Sequence, residues 1–351
     1  MTSPDNTALI IDRISVSYQH RQVLDKLSLT VSQNEILCLL GQSGSGKTTV
    51  LKSIAGLIQV NAGQISLAGE TLSSQQKTLL PEQRGVGIIF QDFALFPHLT
   101  VFENVCFGIQ RLKKNKQQIG DDLLELVKMT EFAQSYPNEL SGGQQQRVAI
   151  ARALGSDPKI LLLDEPFSNV DHHLREQLMF DIRDVLKRQT IPAIFVTHSR
   201  EEAFTFADRL SFMEAGKIVQ EGTAESLYFQ PTTPSLAESM GEGNWLDVTM
   251  IDSVTTHSIH LGRISSTVAH SRSVLSEACQ FIRPNQIKIS ADPHASAQIV
   301  NQVFNGEMKI YFIALDDKIF RVNDSGEQTW EIGTKVSLTA LSHQAILFDK
   351  A

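Results

Sequence analysis

The 351 residues predict an α/β fold, a parallel sheet covered by helices, followed by a smaller all-β domain. Three observations predict it. The stretch Gly41-Gln42-Ser43-Gly44-Ser45-Gly46-Lys47-Thr48-Thr49 matches the phosphate-binding pattern G-x-x-x-x-G-K-[ST] and lies between an apolar run and a helical pattern. Strand-like apolar runs alternate with helical patterns as far as Gly222. Beyond it the chain turns to short alternating segments separated by turn residues.

In chain order, Ala8 to Val31 predicts short antiparallel strands with a turn around Gln19–Gln22. Tyr18 ends one of them, as a packing residue or as a ring for an adenine to stack on. Ile36–Leu40 is a buried strand, and Val50, Leu51, Ile54 and Leu57 mark the helix after the phosphate loop. The loop glycines let the backbone curl so that its N–H groups and the helix start form an anion nest. Lys47 is placed to reach the β- and γ-phosphates, and the Thr48 hydroxyl suits Mg²⁺, which takes oxygen donors. Gly63–Gly69 is a strand and turn, and Ser73–Lys77 a surface loop. Gly87–Phe90 is a buried strand delivering Gln91 towards the γ-phosphate, Mg²⁺ or an attacking water.

An amphipathic helix over Asp122–Phe132 opens a mostly helical insert. That insert contains Leu140-Ser141-Gly142-Gly143-Gln144-Gln145-Gln146-Arg147 ahead of another helix; Ser141 with its glycines is either an N-cap or a second anion nest. Ile160–Leu163 ends in Asp164, suited to hold Mg²⁺ through water, and Glu165, suited to polarise an attacking water. Ala193–Thr197 delivers His198, whose ring N–H can donate to the γ-phosphate.

The composition narrows the function. A net charge of −8 lacks the basic footprint of a nucleic-acid binder. No apolar run is long enough to span a bilayer, and Met1–Asn6 lacks the basic and apolar regions of a leader, so the expectation is a cytosolic chain. Cys38, Cys106 and Cys279 have no disulfide or metal spacing and read as reduced packing residues.

These motifs resemble the ATP-binding cassette family over nearly all of the first 230 residues. The phosphate loop falls at Gly41–Thr49, the glutamine loop at Gln91, the signature at Leu140–Gln144, the acidic strand end at Asp164-Glu165, the D-loop at Ser168–Asp171 and the switch histidine at His198. Asn169-Val170 departs from the more usual Ala-Leu. The resemblance implies a P-loop ATPase domain over 8–230 with a helical insert over about 92–156, using ATP and Mg²⁺. Glu165, His198, Gln91 and Lys47 would be catalytic, Thr48, Gln91 and (through water) Asp164 would serve the metal, and Tyr18 would stack on adenine. It also implies a head-to-tail dimer, the loop Gly41–Thr49 of one copy facing Ser141, Gly142, Gly143, Gln144 and Asp171 of the other across ATP.

Pro231 and Pro234 mark a linker over 231–240. Strands are expected at Leu246–Met250, Ser258–Leu261, Gln286–Ser290, Gln298–Phe304, Lys309–Ala314, Lys318–Val322, Lys335–Leu341 and Gln344–Phe348. Together with Phe281–Gln286, a likeness to an Arg-Pro motif, residues 241–351 resemble the OB-like (TOBE-type) barrel of importer ATPases. That implies an ATPase subunit at the cytoplasmic face of the inner membrane, served indirectly by a periplasmic binding protein and docked on permease subunits through the segment after Gln91, especially Phe93 to Val105, where Phe93, Leu95, Phe96 and Leu99 offer an apolar surface. Chain length, Asp92–Val101 and Gly241-Glu242-Gly243 resemble the ferric-iron import subgroup, though Ser45 replaces a cysteine common there. Importers of polyamines, sugars, sulfate, thiamine or phosphonates share the architecture, and an ABC ATPase outside transport is a further alternative.

Overall fold

The computed structural model describes residues 6–19, 21–111, 115–270, 276–326 and 329–350. Residues 1–5 of the leader reading and His20 of the expected turn lie outside them. The chain divides into two compact units, Met1–Ala224 and Glu225–Ala351.

The first unit opens with β1 (Thr7–Tyr18) and β2 (Arg21–Ser32), longer than the expected short strands. Between Ile11 and Ile14 the register shifts, with Arg13 at φ 47°, and this bulge returns Ile14 and Val16 to the buried face. There follow β3 (Ile36–Leu40), α1 (Lys47–Ala55), β4 (Ala62–Leu67), β5 (Glu70–Ser73), β6 (Val86–Ile89), α2 (Val101–Phe107), α3 (Lys116–Leu126), α4 (Gly142–Leu154), β7 (Ile160–Asp164), α5 (His172–Arg188), β8 (Ala193–Thr197), α6 (Arg200–Phe206), β9 (Arg209–Glu214) and β10 (Lys217–Gly222).

Six strands form one sheet in the order β10-β9-β3-β8-β7-β6, parallel except for β10 at the edge. Its central strands are apolar throughout because helices cover both faces. Four more strands form an antiparallel sheet, β2-β1-β4-β5. One core joins the two sheets: Leu9, Ile11 and Leu29 meet Val50, Leu51 and Ile54 of α1, which meet Leu37, Leu162 and Ile194. The helix carrying the phosphate loop is thus clamped between sheets.

Its far end is held by a buried cation. α1 stops at Gly56 (φ 82°), where the Arg84 guanidinium, 2% exposed, donates to the carbonyls of Ser53 (3.0 Å), Ile54 (2.9 Å) and Leu79 (3.0 Å) and to Ser73 Oγ (2.8 Å). A positive charge here complements the negative end of the helix dipole.

The helix expected over Asp122–Phe132 instead spans Lys116–Leu126, because Lys128 takes a left-handed conformation (φ 58°) that no helix continues. Leu57 likewise falls beyond α1 and is half exposed.

The second unit begins with α7 (Ala224–Phe229) and α8 (Pro234–Met240). α8 corrects the expected linker: Thr233 caps it, Pro234 stands where a missing N–H costs nothing, and Leu236, Ala237 and Met240 are buried. Then come β11 (Asn244–Asp252), β12 (Thr255–Ser258), β13 (Gly262–Ser265), β14 (Glu277–Ile282), β15 (Ile287–Ala291), β16 (Gln298–Phe304), β17 (Lys309–Leu315), β18 (Lys318–Asp324), β19 (Val336–Ala340) and β20 (Ile346–Phe348). They form three sheets, β13-β12-β11-β14-β20, β15-β19 and β16-β17-β18, around a shared core that includes Val248, Ile264, Ile289, Tyr311 and Phe320. The strand expected at Ser258–Leu261 lies earlier, at Thr255–Ser258, and β13 and β14 were not expected. Arg283 is buried, donates to the carbonyls of Ala237 (2.9 Å) and Gly241 (2.6 Å), and stacks 4.2 Å from the Tyr228 ring centre.

Candidate functional site

Strands β3, β6, β7 and β8 are parallel neighbours, so Gly41, Gln91, Asp164 and His198 all emerge at or just beyond their carboxyl ends, where open α/β sheets bind ligands. Gly46 (φ 107°) turns the loop into α1; a Cβ there would come within 2.8 Å of Leu24 Cδ2. Lys47 is 7% exposed and donates to the carbonyls of Gly41 (2.7 Å) and Gln42 (3.0 Å). Burial lowers its pKa, opposed by the nearby Glu165 carboxylate.

Thr48 Oγ1 donates to Asp164 Oδ1 at 3.1 Å. Burial holds the Asp164 carboxyl above its ordinary range, opposed by the Thr48 hydroxyl. A hydroxyl and a carboxylate oxygen side by side, next to a phosphate loop, fit a hard cation such as Mg²⁺. Glu165 adopts a left-handed conformation (φ 46°), its N–H bonded to the Val196 carbonyl at 3.0 Å. That turn aims the carboxylate at the next strand end, where Glu165 Oε1 lies 3.4 Å from His198 Nδ1.

A cavity of about 720 Å³ gathers Tyr18, Ser43, Gly44, Gly46, Lys47, Thr48, Thr49, Glu165 and His198. Its volume falls within the range of small-molecule sites. Arg21, Gln22, Val23, Ala215 and Gly216 also line it and were not foreseen. They come from the start of β2 and from the β9–β10 turn, the latter carried to the loop by long-range backbone bonds such as Gly216 N–H to the Ser45 carbonyl (3.1 Å).

The remaining expected residues lie around this cavity rather than in its wall. Gly41 and Gln42 hold Lys47 from beneath, Ser45 is buried, and Asp164 stands behind Thr48. Gln91 is exposed, and its carbonyl accepts from Asn169 Nδ2 at 2.8 Å. Ser141 caps α4: its Oγ accepts from Gln144 N–H (3.4 Å) while Gln144 Oε1 accepts from Ser141 N–H (2.9 Å). Gly142 brings that helix start so close to the D-loop that a Cβ would lie 2.4 Å from the Asn169 carbonyl oxygen. Asp171 is exposed at the start of α5 and makes no capping bond. Within one copy, then, Ser141–Gln144 and Asp171 stay outside the phosphate cavity.

The expected docking segment needs one correction. Phe93 is 3% exposed and belongs to the core, because Arg152 donates to the carbonyls of Phe93 (2.9 Å) and Ala94 (2.6 Å) and holds both residues in left-handed turns. Phe96 is half-buried against Phe107, itself 49% exposed, with ring centres 4.4 Å apart.

The family described as ABC transporter matches residues 24–168. Over 326 residues the chain is 36% identical to the putrescine transport ATP-binding protein PotG of Escherichia coli K12, an alignment covering 88% of this chain and 84% of that protein. The chain belongs to the ABC transporter family. Within this family it is 36% identical over 322 residues to the spermidine/putrescine import ATP-binding protein PotA of Thermotoga maritima, covering 88% of this chain and 86% of the relative. It is 45% identical over 248 residues to PotA of Salmonella typhimurium, covering 70% of this chain but only 64% of the relative's length. A solved ATP-binding cassette dimer in a post-hydrolysis state, bound to ADP and Pi, superposes with a TM-score of 0.55 at 28% identity, covering 61% of this chain and 98% of that one.

These relatives overturn the ferric-iron resemblance, since they are named for spermidine and putrescine. Chain length, Asp92–Val101 and Gly241-Glu242-Gly243, which carried that resemblance, therefore do not identify the cargo; Ser45 already departed from the ferric pattern.

Proposed function

We propose that this chain is the ATP-hydrolysing subunit of an importer for polyamines, short aliphatic chains carrying several ammonium groups. The observation that carries the ATPase reading is the single cavity joining the phosphate loop to Glu165 and His198. The polyamine cargo rests on relatives named for spermidine and putrescine. In this reading Lys47 exchanges its bonds to Gly41 and Gln42 for phosphate oxygens, Glu165 takes the proton of the attacking water, and His198 donates to the γ-phosphate. Thr48 and Asp164 would hold Mg²⁺, which neutralises the charge on the phosphates.

A second copy supplies Ser141–Gln144 and Asp171, which leave their own chain's cavity untouched; the dimeric relative bound to ADP and Pi supports this arrangement. Permease subunits dock on Phe96, Leu99 and the exposed Phe107. No helix among the described residues is long and apolar enough to cross a membrane, consistent with a peripheral subunit on the cytoplasmic side.

The test is uptake of labelled spermidine, putrescine and a sugar in cells lacking the chain, complemented with wild type or Glu165→Gln. Polyamine uptake should be lost and restored by wild type alone. Polyamine uptake that persists without the chain, while another cargo fails, would refute the cargo.

A further inference from the structure

His198 is 69% exposed at its side chain, yet the two residues flanking it are both bonded to one buried acid. Glu202, 4% exposed on α6, accepts from Thr197 Oγ1 at 2.6 Å through Oε2. Its backbone N–H donates to Ser199 Oγ at 3.3 Å, and Ser199 N–H donates back to Thr197 Oγ1 at 3.0 Å. The other carboxylate oxygen, Oε1, lies 3.4 Å from Arg175 Nη1. Arg175, on α5, also donates from Nη2 to the carbonyl of Val170 at 3.1 Å. Val170 immediately precedes Asp171 in the D-loop, whose next residue back, Asn169, touches Gly142 and the carbonyl of Gln91.

We infer that Arg175 and Glu202 are positioning residues that tie the D-loop to His198. A carboxylate this buried is costly unless each oxygen is occupied, and here one is held by the strand end and the other by a cation from a different helix. A shift of Val170 therefore moves the Arg175 guanidinium, strains or releases the carboxylate, and reaches the peptide that carries His198 from both sides. Neither Arg175 nor Glu202 lines the phosphate cavity, so neither touches nucleotide within the chain. The inference rests on the ATPase reading above and adds a route by which a second copy facing the D-loop sets the histidine.

The test is steady-state ATP hydrolysis by the full chain with Mg²⁺. Glu202→Gln keeps the shape and one acceptor but loses the ion pair, and Thr197→Val removes the other link. Each should lower kcat about tenfold, the scale of a small displacement of a catalytic group, with KM for ATP held within about twofold. Because the links are in series, the double variant should lose no more than the worse single one. Arg175→Met, at a side chain 26% exposed, repeats the test without opening a buried site. A wild-type kcat in Arg175→Met and Thr197→Val, losses that multiply in the double variant, or a fall in ATP affinity as large as the fall in kcat would overturn the relay. Glu165→Gln is run alongside: if that variant turns over normally the ATPase reading fails, whereas its loss beside a normal Glu202→Gln sinks the relay alone.

Discussion

Replacing Arg84 with Met should unfold the first unit early while leaving the second unit in place. The guanidinium has four partners, and their fates differ. The Ser53 carbonyl also accepts from Gly56 N–H at 3.2 Å, and Ser73 Oγ can rotate. The carbonyls of Ile54 and Leu79 lose a charge-assisted donor inside the core, at about 1–3 kcal/mol each. Against this stands the recovered hydration of a cation whose burial lowers its pKa. The net loss is about 3 kcal/mol, with the C-terminus of α1 released first. Both tryptophans, Trp245 and Trp330, lie in the second unit, whereas α1 to α6 lie in the first. In a urea titration the far-ultraviolet dichroism transition should therefore move to lower urea while the tryptophan fluorescence transition stays. An unmoved dichroism transition would refute the reasoning and mean that desolvating Arg84 cancels its bonds.

Four further outcomes follow from the site and the core. Lys47→Ala should weaken nucleotide binding itself, whereas Glu165→Gln should keep binding and lose on the order of 10²–10⁴ in hydrolysis, read by nucleotide fluorescence and phosphate release. The folded pKa of Asp164 is raised above its ordinary 3.8, so the stability its neutral carboxyl confers is full below 3.8 and is lost as pH rises through the raised value. Asp164→Asn should accordingly raise the melting midpoint of the nucleotide-free protein at neutral pH, with the gain gone below 3.8, while Mg²⁺-dependent hydrolysis is lost. His343 has the opposite sign: burial lowers its pKa from 6.5, so the stability it confers is present above 6.5 and is lost as pH falls through the folded value. The tryptophan transition should weaken on acidification, and His343→Gln should flatten that dependence. Phe107→Asp should abolish uptake and spare basal hydrolysis; loss of both would place Phe107 in the fold rather than at a docking surface.

The phosphate loop and the strand ends were legible because each is a local pattern: a continuous apolar run, buried on both faces, followed at once by a polar residue. What escaped is set by tertiary bonds. β14 was missed because Gln280 is wholly buried in it, bonded to Thr256 Oγ1 at 2.7 Å and near His343, and a polar residue facing inward breaks the alternation that marks a strand. α8 was hidden by Pro234, which reads as a breaker in sequence but sits in the first turn of a capped helix. Arg21 to Val23 and Ala215-Gly216 carry no motif at all; only the folding of two hairpins brings them to the cavity. Ser141 presents a different limit, since a cap and a ligand nest use the same hydroxyl, and one chain shows only the cap.

The two bonds from Lys47 to its own loop bear on the entropy of binding. A glycine-rich loop that took its shape only from phosphate would spend ordering entropy each time it bound. Here the lysine closes the loop on itself through Gly41 and Gln42, so that shape is set by bonds within the chain. A phosphate that binds exchanges one set of partners of a buried ammonium for another, while the backbone ordering of the loop is already met in folding.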